Sequence, residues 1–245
     1  MEWHMILIAL VAGYFIGSIS MARLIIRIFA LGKVFTSTSA HLEGSDLTFD
    51  SKLVSATSVT VHYGSKYGFL TMILDLLKIA VPVLVMKYFF PDNPYFLITA
   101  AAGMIGHIWP IYYGFQGGRG ILAVYAALFA IDWIGVFVTS IAGMIFGLTV
   151  MRDVLAAYIT GVVFMIPWLW FRTHNIAYVI YAVVVNIILF IAVIPEAKEL
   201  KRLKKDKSWD DPIAVFQLTG MGRGVIMIAK MMGIIKYKSD KGTHK

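Results

Sequence analysis

The amino-acid sequence predicts an all-α integral membrane protein with about seven transmembrane helices, its N-terminus outside and its C-terminus in the cytoplasm. The first observation is composition: of 245 residues, 59% are hydrophobic and 15% are charged, and there is no cysteine. A soluble domain usually has about 45–50% apolar and about 25% charged residues. The other two observations are the spacing of long apolar runs and the one-sided placement of basic residues. Disordered, collagen-like and disulfide-rich classes are excluded.

Seven apolar runs predict the helices. Roughly 20 apolar residues cross a bilayer as one helix. The first run precedes its basic residues, Arg23 and Arg27, which is unlike a cleavable signal peptide, so we expect a retained helix. The fourth run is the shortest and is also compatible with a tilted or re-entrant piece. The runs cover residues 3–24, 69–90, 95–113, 121–131, 133–151, 154–171 and 176–194.

The basic residues predict the orientation through the positive-inside rule. With the N-terminus outside, nineteen of the 22 Lys and Arg residues fall on the cytoplasmic side. Lys87 and Arg172 fall outside, and Lys78 lies within a span. We therefore expect a multi-pass protein of the bacterial inner (cytoplasmic) membrane.

Two regions follow from this placement. Residues 1–195 form a transmembrane domain with a Ser/Thr-rich cytoplasmic loop at about 31–67, with short helical pieces allowed there. Residues 196–245 form a basic cytoplasmic tail, either an interfacial helix on anionic lipid or a helix packed on the protein's own inner face. Because the tail directly follows an apolar span, we expect no nucleic-acid partner.

The segment 106–120 is the strongest candidate site. Its glycines, Gly117, Gly118 and Gly120, precede an apolar helix. Glycine lets a backbone approach an anion closely, and the first amides of a helix point at one. Arg119 adds a bidentate phosphate contact. The alternative is a plain turn between two spans.

Three other regions carry polar groups. Thr57, Ser58 and Lys66 in the cytoplasmic loop are suited to hold a phosphate, or form a solvated loop. Asp75 and Lys78 are three residues apart on one helix face, which predicts an ion pair, most simply a structural one. Ser18 extends the small-residue face of Gly13 and Gly17, which is typical of close helix packing and less often of a ligand surface. His107 is either a packing residue or part of the site. No metal-ligand cluster and no nucleotide-binding loop are found.

Residues 106–120 resemble the signature GHxxPxxxxFKGGKG of the bacterial acyl-phosphate:glycerol-3-phosphate acyltransferases, the PlsY family. Residues 17–22 resemble that family's GSIP/S-x-A motif, and Asp75-x-x-Lys78 falls where the family has D-x-x-K. The resemblance covers roughly three quarters of the chain, from Gly17 to about Leu203.

The resemblance implies a membrane enzyme that moves a fatty acyl group from acyl phosphate to sn-glycerol 3-phosphate and forms lysophosphatidic acid. It implies these two substrates and membrane lipid as partners, and no metal, coenzyme A or other cofactor; the oligomeric state stays open. Ser51, His107 and Arg119 are the implied catalytic residues. The implied substrate- and phosphate-binding residues are Ser18, Thr57, Ser58, Lys66, Gly117, Gly118, Gly120 and Lys201.

The sequence departs from the family in two motifs. Counted back without gaps from Asp75, the second motif SGNxGATNVLR falls on residues 51–61, where Leu53, Ser58 and Val61 replace two asparagines and an arginine. The third motif, HRxNIxRL, falls on residues 196–203, where Glu196 and Glu199 replace His and Asn. Carboxylates repel an anionic substrate. A non-catalytic family member that binds lipid, acyl phosphate or a protein is therefore the second hypothesis, and a small transporter is the third.

Overall fold

The fold is an α-helical bundle with one short hairpin. The computed structural model describes residues 2–29, 38–41, 48–51, 54–151 and 154–204. A 3₁₀ turn at Ile111–Tyr113 follows α5. The two strands are β1 (Thr38–His41) and β2 (Thr48–Ser51). The helices are α1 (Trp3–Gly17), α2 (Met21–Ile28), α3 (Ala56–Tyr63), α4 (Ser65–Phe89), α5 (Tyr95–Ile108), α6 (Ile121–Ile131), α7 (Trp133–Thr149), α8 (Val154–Val163), α9 (Met165–Thr173) and α10 (Ile176–Lys204).

The first predicted span is broken. α1 ends at Gly17, α2 begins at Met21, and the two helices are bent by 43° at this break. Ser20 is the N-cap of α2, and its hydroxyl oxygen accepts a hydrogen bond from the Arg23 amide at 3.4 Å. A serine cap satisfies one of the free amides that every helix start leaves. The chain therefore ends one helix and restarts in a new direction within an apolar stretch.

The region expected as a loop at 31–67 contains regular structure. β1 and β2 pair antiparallel, with Thr38 opposite Ser51 and His41 opposite Thr48. The helix α3 follows, and α4 starts at Ser65, inside the region expected to be loop. The expectation of helical pieces was correct, whereas the strands were not anticipated because neither segment alternates apolar and polar residues clearly.

Two apolar clusters lie among the described helices. The larger joins α4, α5, α6, α9 and α10 through buried side chains such as Val83, Leu128 and Leu169. The smaller joins α2 and α3 through Ala22, Ile26, Val54 and Val59. The smaller cluster fixes the segment that begins at Val54 against the bend after α1.

Helices α1 and α5 touch at the backbone. A side chain at Gly17 would lie against the backbone of Gly103, and one at Gly106 would lie against the carbonyl oxygen of Tyr14. A side chain at Gly13 would lie 2.6 Å from the Thr99 carbonyl oxygen. Small residues permit this approach, which favours helix association in lipid.

One end of the bundle holds the start of the described chain, the start of α5 and the end of α6. The Glu2 amide donates to the Tyr95 hydroxyl at 2.7 Å, so the chain start lies beside the start of α5. Lys87 donates to the carbonyl oxygens of Ala130 and Ile131 at 3.1 and 2.7 Å, where α6 ends. We call this the far end, because α5 runs from it towards His107 and α6 returns to it from Gly120.

Several helices are apolar enough for a membrane. Among the described residues, three are also long enough to span one: Ser65–Phe89, Tyr95–Tyr113 and Ile176–Pro195; the bent pair of α1 and α2 makes a fourth. Shorter apolar helices lie at Ile121–Ile131, Trp133–Thr149 and Ile159–Thr173. Each predicted run thus coincides with one of these helical pieces, while the number that cross a bilayer stays a prediction.

The expected boundary at residue 195 lies inside a helix. Pro195 is within α10, which continues to Lys204. The first residues of the predicted tail therefore extend the last apolar helix. The rest of the tail, from residue 205 onwards, lies outside the described residues.

Candidate functional site

A polar cleft opens where α1 ends and α2 begins. This narrow recess lies between the bend, α4, the end of α5 and the glycine-rich segment at residues 117–120. Its wall is formed by Gly17, Ser18, Ile19, Ser20, Val54, Asp75, Lys78, His107, Pro110, Gly117 and Gly118.

The glycine-rich segment is folded back onto α5 by main-chain hydrogen bonds. The Gly118 amide donates to the His107 carbonyl oxygen at 3.0 Å, and the Val54 amide donates to the Gly117 carbonyl oxygen at 3.1 Å. A side chain at Gly117 would lie 2.7 Å from the Ile108 carbonyl oxygen, and one at Gly118 would overlap the His107 ring. Only glycine fits at these two positions in the wall.

Gly120 begins the next helix. It is the N-cap of α6 with φ of +88°, in the left-handed region that glycine adopts without strain. A side chain there would lie 2.6 Å from a methyl carbon of Ile108. The left-handed conformation at Gly120 therefore lets α6 begin directly after the glycine-rich segment.

A buried ion pair lies in the cleft. Lys78 Nζ is 2.7 Å from Asp75 Oδ1, and both side chains are about 95% buried, with 4% and 5% exposed. Lys78 Nζ also donates to the Ile19 carbonyl oxygen at 2.6 Å. His107 Nδ1 is 3.8 Å from Asp75 Oδ1 and, within the described part of the chain, has no hydrogen-bond partner. The pair therefore joins α4 to the bend after α1 and places an ionic group beside the His107 ring.

Ser18 links the bend to the rest of the wall. Its hydroxyl is fully buried and donates to the Tyr14 carbonyl oxygen at 2.8 Å. The Tyr14 hydroxyl in turn donates to the Trp109 carbonyl oxygen at 3.0 Å. In the part of the chain that the structure describes, no three His, Asp or Glu side chains converge as a metal site.

A family model described as "Glycerol-3-phosphate acyltransferase" matches residues 7–206. This match covers most of the chain and all of the cleft wall. The chain belongs to the glycerol-3-phosphate acyltransferase family. The resemblance to the PlsY family is thereby confirmed, and the protein is a multi-pass membrane protein of lipid biosynthesis.

Relatives in bacteria support the family membership. A glycerol-3-phosphate acyltransferase of Brucella anthropi is 32% identical over 183 residues, covering 74% of this chain and 83% of that protein. The one of Aquifex aeolicus is 35% identical over 127 residues, covering 46% of this chain and 66% of that protein. The one of Legionella pneumophila is 33% identical over 132 residues, 54% of this chain and 43% of that protein.

Two solved structures share the fold. Crystal structures of PlsY, an integral membrane glycerol 3-phosphate acyltransferase, in a glycerol 3-phosphate form and a lysophosphatidic acid form, are each 24% identical to this chain. Their TM-scores are 0.63 and 0.64, and each match covers 80% of this chain and 92% of the solved one. The acyltransferase fold is therefore present with almost all of its elements.

The structure brings some predicted family-site residues together and leaves others apart. Predicted residues in the wall are Ser18, His107, Gly117 and Gly118, together with Asp75 and Lys78. Predicted residues outside the described wall are Thr57, Ser58, Lys66, Arg119 and Gly120. Lys66 is exposed at the start of α4, and the Ser58 hydroxyl is buried 3.5 Å from that of Ser55. Arg119, half-buried, directly follows the wall at Gly118.

Two further predicted residues are placed only by their backbone. Ser51 ends β2, and Lys201 lies in the last turns of α10. β2 is in contact with α10. Their side chains lie outside the described residues.

Sequence reasoning missed two contributors to this region. Val54 lines the cleft, and its main-chain amide holds it there by donating to the Gly117 carbonyl oxygen. No side-chain pattern in the sequence predicts such a main-chain contact. The sequence assigns Arg23 only to the positive charges that predict the orientation, although it follows the cap residue Ser20 by three positions, a spacing that places both on one helix face.

Proposed function

We propose that the protein transfers a fatty acyl group from acyl phosphate to the 1-hydroxyl of sn-glycerol 3-phosphate, within the glycerol-3-phosphate acyltransferase family to which it belongs. The hydroxyl oxygen attacks the acyl carbon, the carbon–oxygen bond to phosphate breaks, and the hydroxyl hydrogen leaves with the phosphate. The products are lysophosphatidic acid and inorganic phosphate.

The observation that carries this proposal is the construction of the cleft wall from the family's signature. His107, Gly117 and Gly118 lie together beside the ion pair of Asp75 and Lys78. Acyl phosphate is already a mixed anhydride, so binding two substrates side by side and neutralising charge on the reacting oxygens supplies much of the rate. No covalent acyl-enzyme is required.

Each residue of the site has a proposed role in binding phosphate or in catalysis. Gly117 and Gly118 allow a phosphate to approach the main chain, and Arg119 contributes the positive charge next to them. The His107 carbonyl oxygen fixes this segment through the Gly118 amide. Ser18, Thr57, Ser58, Lys66, Gly120 and Lys201 complete the proposed phosphate-binding set, and Ser51 joins His107 and Arg119 as a proposed catalytic residue.

The proposal includes seven membrane spans, an outside N-terminus, a cytoplasmic C-terminus and location in the bacterial inner membrane. The two ends of the bundle differ in charge, which supports this orientation. The far end carries Lys87 and Arg172, whereas the helix ends on the cleft side carry Arg23, Arg27 and Lys66. Positive residues collect on the cytoplasmic side of membrane proteins, so the cleft opens to cytosolic glycerol 3-phosphate. Residues 196–245 then form a basic cytoplasmic tail.

The assay is direct. We expect the purified protein in detergent to release phosphate and form lysophosphatidic acid from palmitoyl phosphate and glycerol 3-phosphate. Palmitoyl coenzyme A in place of palmitoyl phosphate, and omission of glycerol 3-phosphate, serve as matched controls. Lysophosphatidic acid that forms in the complete mixture and in neither control mixture supports the proposal.

A second function is favoured by specific residues. Leu53, Ser58 and Val61 stand where the family has two asparagines and an arginine, and Glu196 and Glu199 stand where it has His and Asn. A non-catalytic member that binds acyl phosphate would form no lysophosphatidic acid. It would still be stabilised against thermal unfolding by palmitoyl phosphate, because a ligand that binds only the folded state raises its stability.

A further inference from the structure

Arg23 is a buried cation with an unused donor. It lies in α2 with 7% of its surface exposed, and its guanidinium carbon is 4.4 Å from the centre of the Tyr113 ring. Its Nη1 atom is buried and has no hydrogen-bond partner among the residues that the structure describes. A guanidinium over an aromatic face is attracted by the ring, and more strongly when both groups are removed from water. The ring leaves the Nη1 donor unsatisfied.

Both segments that hold this pair continue from the cleft wall. Ser20 lines the cleft and caps α2, and the Arg23 amide donates to its hydroxyl oxygen. Pro110 lines the cleft, and the Tyr113 amide donates to the Pro110 carbonyl oxygen at 3.1 Å. Arg23 and Tyr113 therefore lie one turn away from the wall on two separate elements.

An unpaired buried donor on a charged group is costly, and an anion removes that cost. Arginine suits phosphate because its planar guanidinium presents several donors in a fixed arrangement. The Tyr113 ring covers one face of the guanidinium, so the unpaired Nη1 donor is held in place by a neighbouring side chain. These features differ from an exposed cation, whose donors are already satisfied by water.

We infer that Arg23, oriented by the Tyr113 ring, binds a substrate phosphate group beside the cleft. This inference rests on the proposed function for the identity of the phosphates, which belong to glycerol 3-phosphate and acyl phosphate. Both carry the same phosphate chemistry, and the two sources are separated by experiment.

The test compares Arg23→Gln with Arg27→Gln in steady-state kinetics. Arg27 is one turn further along α2, exposed, and outside the cleft wall, so it is the matched control. Arg23→Gln should raise the KM of one substrate by about ten- to a hundredfold, the effect of losing a hydrogen bond to a charged group, with a smaller change in kcat. A raised KM for glycerol 3-phosphate assigns the acceptor; a raised KM for palmitoyl phosphate assigns the donor. Arg23→Lys should recover part of the loss.

A binding measurement separates this inference from the proposed function. Glycerol 3-phosphate and palmitoyl phosphate are each added to the folded wild-type protein, and the rise in Tm is compared with that of Arg23→Gln. If the wild type is inactive but one of the rises depends on Arg23, the inference stands and the proposed function fails. If the wild type is active while both KM values and both rises are unchanged in Arg23→Gln, the inference is wrong.

Tyr113→Leu is a second variant that tests the inference if Arg23→Gln fails to fold. Removing the ring keeps the guanidinium but frees its orientation, so the same KM should rise by a smaller factor than in Arg23→Gln. An equal loss of Tm in Arg23→Gln and Arg23→Lys, with unchanged KM values in the folded fraction and in Tyr113→Leu, would assign Arg23 a purely structural role and overturn the inference.

Discussion

The Val54 amide donates a hydrogen bond to the carbonyl oxygen of Gly117 across 3.1 Å. This contact joins the segment that leads into α3 to the glycine-rich segment before α6. The sequence suggested both regions separately as phosphate sites, and the hydrogen bond makes them neighbours in one wall. A change at Gly117 is therefore expected to disturb both.

Gly117→Ala should lower kcat/KM on the order of a hundredfold, the usual cost of displacing a positioning group by about 1 Å. The added carbon would lie 2.6 Å from Pro110 Cδ and 2.7 Å from the Ile108 carbonyl oxygen, so the loop must move. Gly114→Ala is the control, because no atom of the described residues lies within 4 Å of its added carbon, although its φ of +60° adds about 1 kcal/mol of strain. Equal activity in the two variants would refute the role of this loop in the wall.

Lys78→Met should lower the free energy of unfolding by about 3–5 kcal/mol, because Asp75 remains buried without its partner. The double variant Asp75→Asn with Lys78→Met should recover most of this loss, since no uncompensated charge remains. Thermal unfolding in detergent measures both. Leu77→Ala on the same helix, 45% exposed, is the control for a general effect of substitution in α4. A single variant as stable as the wild type would show that the ion pair contributes nothing.

Much of the helical fold could be predicted from the sequence. Apolar runs are a strong signal in a membrane protein because a spanning helix must be apolar almost throughout. The break between Gly17 and Met21 was missed because Ile19 keeps the stretch apolar, and hydropathy does not detect a change of direction. The strand β2 was missed since its four residues, Thr48–Ser51, carry no periodic pattern.

The candidate site was predictable where glycine is required by close packing. Gly117, Gly118 and His107 lie in the wall because the Gly118 amide donates to the His107 carbonyl oxygen, which holds the loop against α5. Charged residues were harder to place. Lys66 is exposed and Arg23 is buried, and that difference arises from tertiary contacts such as the Tyr113 ring, which sequence spacing does not encode.

Arg119→Ala should weaken binding of palmitoyl phosphate about tenfold or more, the cost of losing a charged hydrogen bond. Arg119→Lys keeps the charge but loses the planar guanidinium, so its affinity for palmitoyl phosphate should lie between those of the wild type and Arg119→Ala. The concentration of palmitoyl phosphate that gives half of the full rise in Tm measures binding without turnover. Arg27→Ala controls for the loss of one positive charge. Unchanged binding in Arg119→Ala would remove Arg119 from the phosphate-binding set.

Asp132→Asn should destabilise the protein without changing its chemistry. Asp132 Oδ2 accepts hydrogen bonds from Trp168 Nε1 at 2.8 Å and Arg172 Nε at 3.4 Å, which ties the junction of α6 and α7 to α9. The amide cannot reproduce a charge-assisted contact, so we expect a loss of about 1–3 kcal/mol in unfolding free energy.

The activity of Asp132→Asn should be unchanged at temperatures where the protein is folded. α6 separates Asp132 from Gly120 by its whole length, roughly 16 Å at 1.5 Å per residue, and Asp132 lies at the far end. Asp92→Asn, an exposed carboxylate in the turn before α5, is the matched control and should alter neither property. Reduced kcat in Asp132→Asn with an unchanged Tm would contradict the separation of the far end from the cleft, because a purely structural contact acts on activity only through the folded fraction.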